Sequence, residues 1–546
     1  MCSRDTQIGC TNVFVVLQLA IGYLCVQTCV KINKMLLIVI VFMMSAGACQ
    51  GFKVLALLPY PGKSHHMVFE PVLDELARRG HHVTVVSFFP SATPHANRRD
   101  VSLVGLAPLN VEVVDLRDFD DPSLFARKFS TQFNLVSNLM DFNLKLCEKL
   151  LYSDVFEEFA KAEGSYDVVL TEHFHTDCMM GIVHNYGAPS VGLMSCALVP
   201  WTPARVGADD NPATFPSMLL PFGDEMTFLE KLENAFNVNF YKYWHRFVTR
   251  NEQSIVEKRL GRKLPPLEEL AKNASVMLVN THYTLNGRRL LPPSVVEVGG
   301  IHLHNKTVQS LPERWVSESK HGVVLFSFGS LIRGSSLPPK RLDAILKVFA
   351  RLPQRIIWKW ETEDIQGLPE NVLVLKWLPQ YDLLQHPNCV AFITHGGLLS
   401  LTEAVAAGVP SLVIPVLGDQ PGNAAYAKRA GIAEALAIYD VDEDTLYEAL
   451  VKVLTPEMRA SAKAFSRRWR ERPLSPMDTA IHYIEHTARY GHLDMSSHAR
   501  HVSKPELLFF QAVEYLAVAA VLLFIVVLTF CCCCGSRTKI AKVKQN

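Results

Sequence analysis

The chain has 546 residues, more than one hydrophobic core can organise, so its length indicates at least two domains. Its 54 Lys and Arg residues balance 53 Asp and Glu residues, and this near-zero net charge argues against a protein built to grip nucleic acid. Hydrophobic residues make up 49% of the chain, and much of that excess lies at its two ends, where targeting and membrane segments are found.

Two apolar runs precede the first predicted strand. The second, residues 35–44, follows a basic flank and ends before Ala46-Gly47-Ala48, the small-residue pattern of a signal-peptide cleavage site. We therefore predict a signal peptide over 35–48. Residues 1–34 are then either a short membrane anchor or an upstream extension of the true start, and the sequence leaves both open.

Strand and helix patterns alternate through the first half of the chain. The predicted elements are strands at 54–58, 83–87, 166–170 and 190–193 and a helix at 65–79 that ends before Gly80. Because a helix joins the first two strands, they form a βαβ unit with parallel strands and a right-handed crossover. We take 49–302 as an N-terminal domain of the Rossmann-like, doubly wound type.

The polar stretch 303–320 is predicted to be a linker, after which the same alternation restarts. Strands are predicted at 323–328, 355–359, 372–375, 390–394 and 411–415, and helices at 339–351 and 398–407. The sequence therefore predicts an α/β fold with a second Rossmann-like, doubly wound domain over 321–475. Ligands of such folds bind at the carboxyl ends of the strands, so the predicted active site is the cleft between the two domains.

The C-terminal end is predicted to be anchored in a membrane. Residues 476–505 are predicted as helices that lead to 515–534, which is 20 residues without a charge and long enough to span a bilayer. The tail 535–546 is basic and has no acid, so the positive-inside rule places it in the cytosol and the two domains in the lumen. Lys542-Val-Lys544 resembles a lysine-based retrieval signal, which predicts a type I single-pass protein of the endoplasmic reticulum membrane.

The cysteines are not predicted to form a disulfide framework, although the chain has 13 of them. Four lie at the cytosolic edge of the predicted span and four lie well before the predicted cleavage site, which leaves five for the lumen. Asn273-Ala-Ser275 and Asn305-Lys-Thr307 are glycosylation sequons that a lumenal location permits. The sequence leaves the oligomeric state open, including a homo- or hetero-oligomer.

A set of polar and aromatic residues lies between 377 and 420, each just after a predicted strand or in the first turns of the next helix. Its members are Trp377, Gln380, His395, Gly396, Gly397, Ser400, Glu403, Asp419 and Gln420. A helix N-terminus after two glycines offers backbone N–H groups to a phosphate, an indole stacks on a planar base, and carboxylates bind sugar hydroxyl groups. Together they predict a nucleotide-sugar site. Alternatively, Ser400-Leu-Thr-Glu403 is a capping box that serves only its own helix.

The set resembles the signature of the UDP-glycosyltransferase family in Trp377-Leu-Pro-Gln380, His395-Gly-Gly397, Glu403, Gly408-Val-Pro410 and Asp419-Gln420. Its membrane-bound insect branch in particular resembles this chain in Pro61-Gly-Lys-Ser-His65-His66 and Val298-Gly-Gly-Ile-His302. The resemblance implies the GT-B fold, with a UDP-sugar bound by the C-terminal domain. It implies UDP-glucose as co-substrate, a small lipophilic acceptor, and no permanently bound cofactor. No Asp-x-Asp motif lies in the expected place, which predicts that no metal is required.

The resemblance also implies a partner for each residue of the set. The expected partners are uracil for Trp377, the uridine region for Gln380, ribose for Glu403, the diphosphate for His395, Gly397, Ser400 and Ser330, and the transferred sugar for Asp419 and Gln420. Leu399 departs from the family pattern, because many relatives have an asparagine there that helps to hold phosphate. The backbone and Ser400 are therefore expected to contribute more in this chain.

The predicted catalytic base is His65, which follows the first strand and matches the catalytic histidine of the family after Ser64. His66 is its rival. A carboxylate is expected to orient the imidazole, and two acids follow the third predicted strand: Asp177, which we favour, and Glu172. Asp177 is alternatively a plain helix N-cap.

The predicted reaction is a single in-line displacement that inverts the anomeric centre of the hexose. The acceptor is expected to be a phenol, a steroid or another lipophilic xenobiotic, because 134–149 and 212–240 carry apolar side chains. Those singled out are Phe215, Met218, Leu219 and Phe222, which are alternatively ordinary core or membrane-facing residues. Two other functions stay open: glucuronosyl transfer, and a catalytically silent lumenal binding protein of the same fold.

Overall fold

The computed structural model describes residues 51–492, except 94, 121–122, 124–130, 162–163, 304–311 and 363–364, together with 495, 509, 512–513, 516 and 518–529. Outside these residues lie the predicted N-terminal extension, the signal peptide, residues 304–311 of the predicted linker with the sequon at Asn305, and the basic tail. The predicted span is described only at 516 and 518–529, and 518–529 are helical. Among the described residues, no helix has both the length and the apolar character needed to cross a membrane.

The first domain is built around a parallel sheet. Its strands are β1 (Lys53–Leu58), β2 (His82–Ser87), β3 (Arg98–Ser102), β4 (Val114–Asp115), β5 (Val168–Glu172), β6 (Ser190–Met194), β7 (Ala274–Val279) and β8 (Val295–Glu297). Its helices are α1 (Lys63–Arg78), α2 (Thr131–Leu151), α3 (Asp154–Lys161), α4 (Cys178–Tyr186), α5 (Pro203–Val206), α6 (Phe228–Leu260), α7 (Leu267–Leu270) and α8 (Tyr283–Asn286). All these strands except β4 form one sheet in the order β3-β2-β1-β5-β6-β7-β8. The direction of winding reverses between β1 and β5, which makes their carboxyl ends the switch point of the sheet.

The second domain repeats this plan. Its strands are β9 (Val323–Ser327), β10 (Ile332–Arg333), β11 (Arg355–Lys359), β12 (Val372–Leu375), β13 (Cys389–Thr394), β14 (Ser411–Val413) and β15 (Ala433–Ala435). The helices that follow the first domain are α9 (Glu313–Ser317), α10 (Pro339–Arg351), α11 (Gln380–Gln385), α12 (Leu398–Ala407), α13 (Gln420–Arg429), α14 (Glu443–Val453), α15 (Pro456–Arg470) and α16 (Pro476–Tyr490). Six strands form a parallel sheet in the order β12-β11-β9-β13-β14-β15, with its switch point between β9 and β13. The remaining strand, β10, pairs with β4 of the first domain.

The sequences of the strands explain why both sheets are buried on both faces. β1 and β13 are near-continuous apolar runs, which is typical of parallel strands that helices cover from both sides. In β1, Val54 and Ala56 enter one apolar cluster, whereas Leu55 and Leu57 enter another on the opposite face. Every strand predicted from an apolar run is found, with bounds that differ from the prediction by at most two residues.

Two helices lie where the sequence did not place a packed element. α9 lies inside the predicted linker. α16, the first of the helices predicted to lead to a membrane, belongs to the core of the first domain: Ala480, Ile481 and Ile484 are almost fully buried against one face of its sheet. The chain therefore leaves the first domain after α8 and β8 and returns to it with α16, because α16 has an apolar face to bury.

A disulfide joins Cys147 in α2 to Cys178 at the start of α4. Both are among the five cysteines predicted to lie in the lumen, and their pairing was not predicted, because spacing alone does not identify partners 31 residues apart. Among the described cysteines, Cys196 and Cys389 are free and buried. This bridge ties α2 to α4 within the first domain.

Candidate active site

One corner of the site forms where β1 and β5 end side by side. These strands pair in parallel with Leu57 opposite Thr171, so the residues that follow them emerge at the same edge of the sheet. α1 begins directly after Gly62, which places His65 in its first turn, and Glu172 is the last residue of β5. His65 Nδ1 lies 2.8 Å from Glu172 Oε1. The predicted base therefore meets the less favoured of the two candidate carboxylates.

This pairing prepares His65 to act as a base. When Nδ1 carries the proton and donates it to the carboxylate of Glu172, Nε2 presents a free lone pair. Ser195 Oγ lies 2.6 Å from the same Nδ1 and shares that proton as a second acceptor. Ser195 directly follows β6, the neighbour of β5, so its place at this edge of the sheet was readable, but a lone serine gave no signal of function.

Asp177 does not pair with His65, and the expectation that it orients the imidazole is wrong. Its side chain is fully buried, and Oδ2 accepts a hydrogen bond from Arg205 Nη2 at 2.7 Å. It occupies the N-cap position of α4 but makes no side-chain capping bond, so the alternative N-cap interpretation also fails. The loop 173–176 carries Asp177 past the strand end and into the domain interior, where it neutralises Arg205.

His66, the rival base, lies on another side of α1 from His65. It is buried, and its ring centre lies 5.3 Å from that of Phe89. The His65 ring centre instead lies 4.6 Å from that of Tyr60 and 4.2 Å from that of Phe174. Two aromatic rings thus flank the predicted base, and they give an incoming acceptor an apolar environment.

The second corner forms where β9 and β13 end side by side, and its central residue is His395. The imidazole lies between two glycines: a Cβ on Gly329 would lie 2.6 Å from its Cε1, and one on Gly397 would lie 2.4 Å from its Nε2. Neither position accommodates a side chain while the ring stays in place. Burial lowers the pKa of His395 to about 4, so the ring is neutral near pH 7 and offers a phosphate a hydrogen bond without a charge.

This corner also holds a buried cation, Lys359, which two carboxylates pair with and which is not among the predicted site residues. Lys359 ends β11, the neighbour of β9, and its side chain is buried. Nζ lies 2.9 Å from Glu361 Oε1 and 3.4 Å from Glu112 Oε1. Its charge also contributes to the lowered pKa of His395. A lysine at the ligand-facing end of an apolar strand was the signal available in the sequence.

Gln380, Ser400 and Glu403 form one hydrogen-bonded group. Gln380 Nε2 donates to Ser400 Oγ at 3.0 Å and to Glu403 Oε2 at 2.6 Å. The N-cap of α12 is Gly397, and no side chain caps this helix, so the capping-box alternative is wrong. Burial raises the pKa of Glu403 to about 7, and the hydrogen bond from Gln380 opposes that rise. The structure thus brings together residues that the family pattern assigns to uridine, diphosphate and ribose.

Asp419 and Gln420 lie at the start of α13. Asn423 Nδ2 donates to Asp419 Oδ2 at 2.9 Å and to the carbonyl oxygen of Gly396 at 3.0 Å, which ties this carboxylate to the glycine turn. Gln420 Oε1 accepts hydrogen bonds from two backbone N–H groups of the preceding turn, so its amide N–H groups are what it offers a ligand. Burial raises the pKa of Asp419, and the hydrogen bond from Asn423 opposes that rise.

Trp377 lies at the cleft with half of its surface exposed. Lys63, at the start of α1 in the first domain, places Nζ 4.2 Å from the centre of the Trp377 ring. This cation–π contact joins the two domains and covers one face of the indole. A planar base that stacks on Trp377 therefore uses the other face or displaces Lys63.

The whole folded region matches one family. The family model described as UDP-glucoronosyl and UDP-glucosyl transferase matches residues 53–546. The chain belongs to the UDP-glycosyltransferase family. UDP-glycosyltransferase UGT5 of Dactylopius coccus is 34% identical over 448 residues, which cover 80% of this chain and 84% of that protein. UDP-glucosyltransferase 2 of the same organism is 32% identical, with 83% and 87% covered. UDP-glucuronosyltransferase 2B7 of Homo sapiens is 28% identical, with 85% and 90% covered.

Solved structures of other glycosyltransferases share the fold of this UDP-glycosyltransferase. The glycotransferase of kitacinnamycin is similar with a TM-score of 0.55 at 21% identity, covering 80% of this chain and 99% of that one. SnogD from Streptomyces nogalater is similar with a TM-score of 0.52 at 18% identity, again covering 80% and 99%. The two tandem parallel-sheet domains are therefore the GT-B arrangement that the sequence predicts.

Family membership makes the chain a glycosyltransferase that uses a UDP-sugar donor. The residues that the family pattern assigns to that donor converge on the carboxyl edge of the second sheet, and His65 lies on the facing edge of the first. Among the described residues, no group of three or more His, Cys, Asp or Glu side chains is arranged to hold a metal ion.

Beneath the loop 173–176 lies a buried acid whose titration controls stability. Glu252 in α6 is fully buried and accepts hydrogen bonds from the Thr176 hydroxyl and from the backbone N–H of Asp177. Burial raises its pKa from 4.5 to about 8, and the Asp177 charge acts in the same direction. Between these values the folded state holds a proton that the unfolded state has lost, so this contribution to stability declines as pH rises from about 4.5 to about 8.

Glu252→Gln is expected to remove that decline, because the amide mimics the protonated acid: its oxygen accepts from the backbone N–H of Asp177, and its NH2 group donates to the Thr176 hydroxyl oxygen. The measurement is the thermal unfolding midpoint from about pH 5 to about pH 8, where wild type should lose stability relative to the variant by up to about 1.4 kcal/mol per pH unit. Glu158→Gln, at an exposed position of α3, is the control. Parallel profiles for wild type and Glu252→Gln would show that Glu252 is ionised throughout.

Proposed function

We propose that this UDP-glycosyltransferase transfers glucose from UDP-glucose to a hydroxyl group of a small lipophilic acceptor, with inversion at the anomeric carbon. The observation that carries the proposal is the His65–Glu172 pair, whose base lies in the first turn of α1, the same turn whose Lys63 contacts Trp377 of the donor corner. A single in-line displacement needs a base on one side of the anomeric carbon and groups that hold the leaving UDP on the other.

In the proposed reaction, His65 Nε2 takes the proton of the acceptor hydroxyl as that oxygen forms a bond to the anomeric carbon. The bond from this carbon to the diphosphate oxygen breaks, and its electron pair leaves with UDP. Glu172 stabilises the imidazolium, while His395 and the N–H groups at the start of α12 stabilise the charge that develops on the diphosphate. An α-linked donor therefore gives a β-glycoside.

The choice of sugar and acceptor rests on separate observations. The relative named UDP-glucosyltransferase 2 is 32% identical, against 28% for the relative named UDP-glucuronosyltransferase 2B7, which favours glucose. The aromatic rings of Tyr60 and Phe174 beside His65 support a lipophilic acceptor such as a phenol, a steroid or another xenobiotic. Phe215, Leu219 and Phe222 are buried, so they support the fold and line no open surface.

The test is a transfer assay on microsomes that contain the full chain, with UDP-glucose or UDP-glucuronic acid and a panel of phenols. We expect β-glucosides, identified by the anomeric proton in NMR spectra, to form at least about tenfold faster than glucuronides. Faster glucuronide formation would overturn the sugar assignment. Binding of UDP without transfer from either donor would instead favour the silent binding protein.

We also propose that both domains lie in the lumen of the endoplasmic reticulum and that one C-terminal span anchors the chain. The uncharged segment 515–534 with its basic tail supports this location, and the Cys147–Cys178 disulfide fits an oxidising compartment. In sealed microsomes, added protease is expected to spare both domains. Endoglycosidase H is expected to cleave a glycan on Asn273 and so lower the apparent mass of the protein. Digestion of the domains in sealed vesicles would contradict the proposal.

A further inference from the structure

A short segment of the first domain runs directly between the two corners of the site. We name residues 110–116 the strap. Its seven residues reach at most roughly 25 Å when extended. The strap belongs to neither large sheet: its strand β4 pairs in parallel with β10 of the second domain, with Val114 opposite Ile332 and Asp115 opposite Arg333.

One end of the strap is fixed beside His65. The backbone N–H of Asn110 donates to the carbonyl oxygen of Pro61 at 3.0 Å, and Asn110 forms a β-bridge with Gly62, the N-cap residue of α1. Asn110 Nδ2 also donates to Tyr60 Oη at 3.4 Å, and the Tyr60 ring contacts the imidazole of His65. The strap is therefore hydrogen-bonded to the turn 60–62, which precedes α1 and positions His65.

The other end is fixed beside the turn assigned to the diphosphate. The backbone N–H of Glu112 donates to the carbonyl oxygen of Ser330 at 2.8 Å, and Glu112 Oε1 lies 3.4 Å from Lys359 Nζ. Leu116 is fully buried in the main apolar cluster of the second domain, and its N–H donates to Ser336 Oγ at 2.8 Å. These contacts hold the strap to the second domain through backbone, charge and core packing.

Glu112 is where the strap departs from ordinary backbone geometry. Its φ is +54°, and among the described residues no other non-glycine residue has a positive φ. Side chains disfavour this left-handed conformation, so the contacts on either side must hold the backbone there. The conformation turns the N–H of Glu112 to Ser330 while the chain continues from Asn110 to Val114.

We propose that the strap couples the two corners, with Glu112 as a positioning residue that fixes the His65 turn relative to the diphosphate turn. Occupation of the second domain by UDP then stiffens the turn that carries the base in the first. The kinetic consequence rests on the proposed function, since it requires His65 to act in transfer. The coupling itself is a property of UDP binding and is measured without any reaction.

The test compares Glu112→Val with Glu112→Gly. Valine resists a positive φ and glycine adopts it freely, so only the valine variant breaks the contact with Ser330. Hydrogen exchange is measured with and without UDP. In wild type and Glu112→Gly, UDP is expected to slow exchange about tenfold in 110–116 and in the first turn of α1, whereas in Glu112→Val this protection stays confined to the second domain. Glu158→Val, the same change at an exposed position of α3, should behave as wild type.

Kinetics provide the second readout. Glu112→Val is expected to lower kcat about tenfold or more with UDP affinity unchanged, while Glu112→Gly stays within about threefold of wild type. Equal effects of the two variants, or normal coupling in Glu112→Val, overturn the proposal. If Glu112→Val does not fold, one glycine inserted after Val113 lengthens the strap, and unaltered exchange in that variant overturns the proposal too. A wild type that transfers no sugar would overturn the proposed function alone.

Discussion

Replacement of His65 by alanine is expected to abolish sugar transfer, with kcat lower by about 10²–10⁴-fold, the usual contribution of a general base. The imidazole is the group at this corner whose free nitrogen can take the acceptor proton, because Nδ1 is committed to Glu172 and Ser195. UDP affinity should survive, since Trp377 and His395 lie in the second domain.

The experiment pairs initial rates with calorimetric titration by UDP, on the His65→Ala variant and on His82→Ala. His82 is an exposed histidine at the start of β2, away from both corners, and its replacement should leave rate and affinity unchanged. Loss of transfer together with UDP binding in His65→Ala would sink the assignment of His65 as the base, since the substitution would then have disturbed the donor site.

Glu172→Gln is expected to lower kcat and Asp177→Asn to lower folding stability, although both substitutions remove one negative charge near the loop 173–176. Glu172→Gln keeps the shape of the side chain but withdraws the charge that stabilises the imidazolium, so kcat should fall by about 10²–10³-fold with little change in thermal stability. Asp177→Asn leaves Arg205 buried without its counterion. Breaking such a pair costs about 3–5 kcal/mol of folding free energy, while the folded fraction should retain its kcat.

Rates and thermal unfolding midpoints measured on the same preparations separate these two outcomes. Glu172→Asp serves as the conservative variant, because it restores the charge at a shorter reach and should recover part of the rate. An Asp177→Asn variant that is fully stable but inactive would contradict this assignment. Asp177, and not Glu172, would then be the carboxylate that orients the His65 imidazole.

The strands and the location of the site were readable from the sequence for one physical reason. Parallel strands buried on both faces are near-continuous apolar runs, and the polar residues that follow them must meet at one edge of the sheet. His65 after β1 and His395 after β13 were found in this way, with the glycines beside His395 as a further sign.

What the sequence could not decide was where a side chain points after a strand has ended. Glu172 belongs to β5 and its direction is set by the sheet, whereas Asp177 follows a loop that turns inward, and spacing along the chain does not separate these cases. Ser195 was missed because a lone serine gives no signal of function, whereas Lys359 was missed although a lysine that ends an apolar strand was such a signal. The strap was invisible for another reason: a pairing of two residues between domains leaves no periodicity to detect.

The position of α16 has a consequence for how this enzyme can be divided or recombined. Ala480, Ile481 and Ile484 complete the core of a domain whose other parts lie before residue 302. A fragment that ends at residue 302 would leave that apolar face bare and prone to aggregation. A chimera that exchanges only the N-terminal, acceptor-binding domain between relatives must therefore also exchange or match α16. Changes in acceptor preference during evolution are for the same reason constrained by two distant parts of the gene.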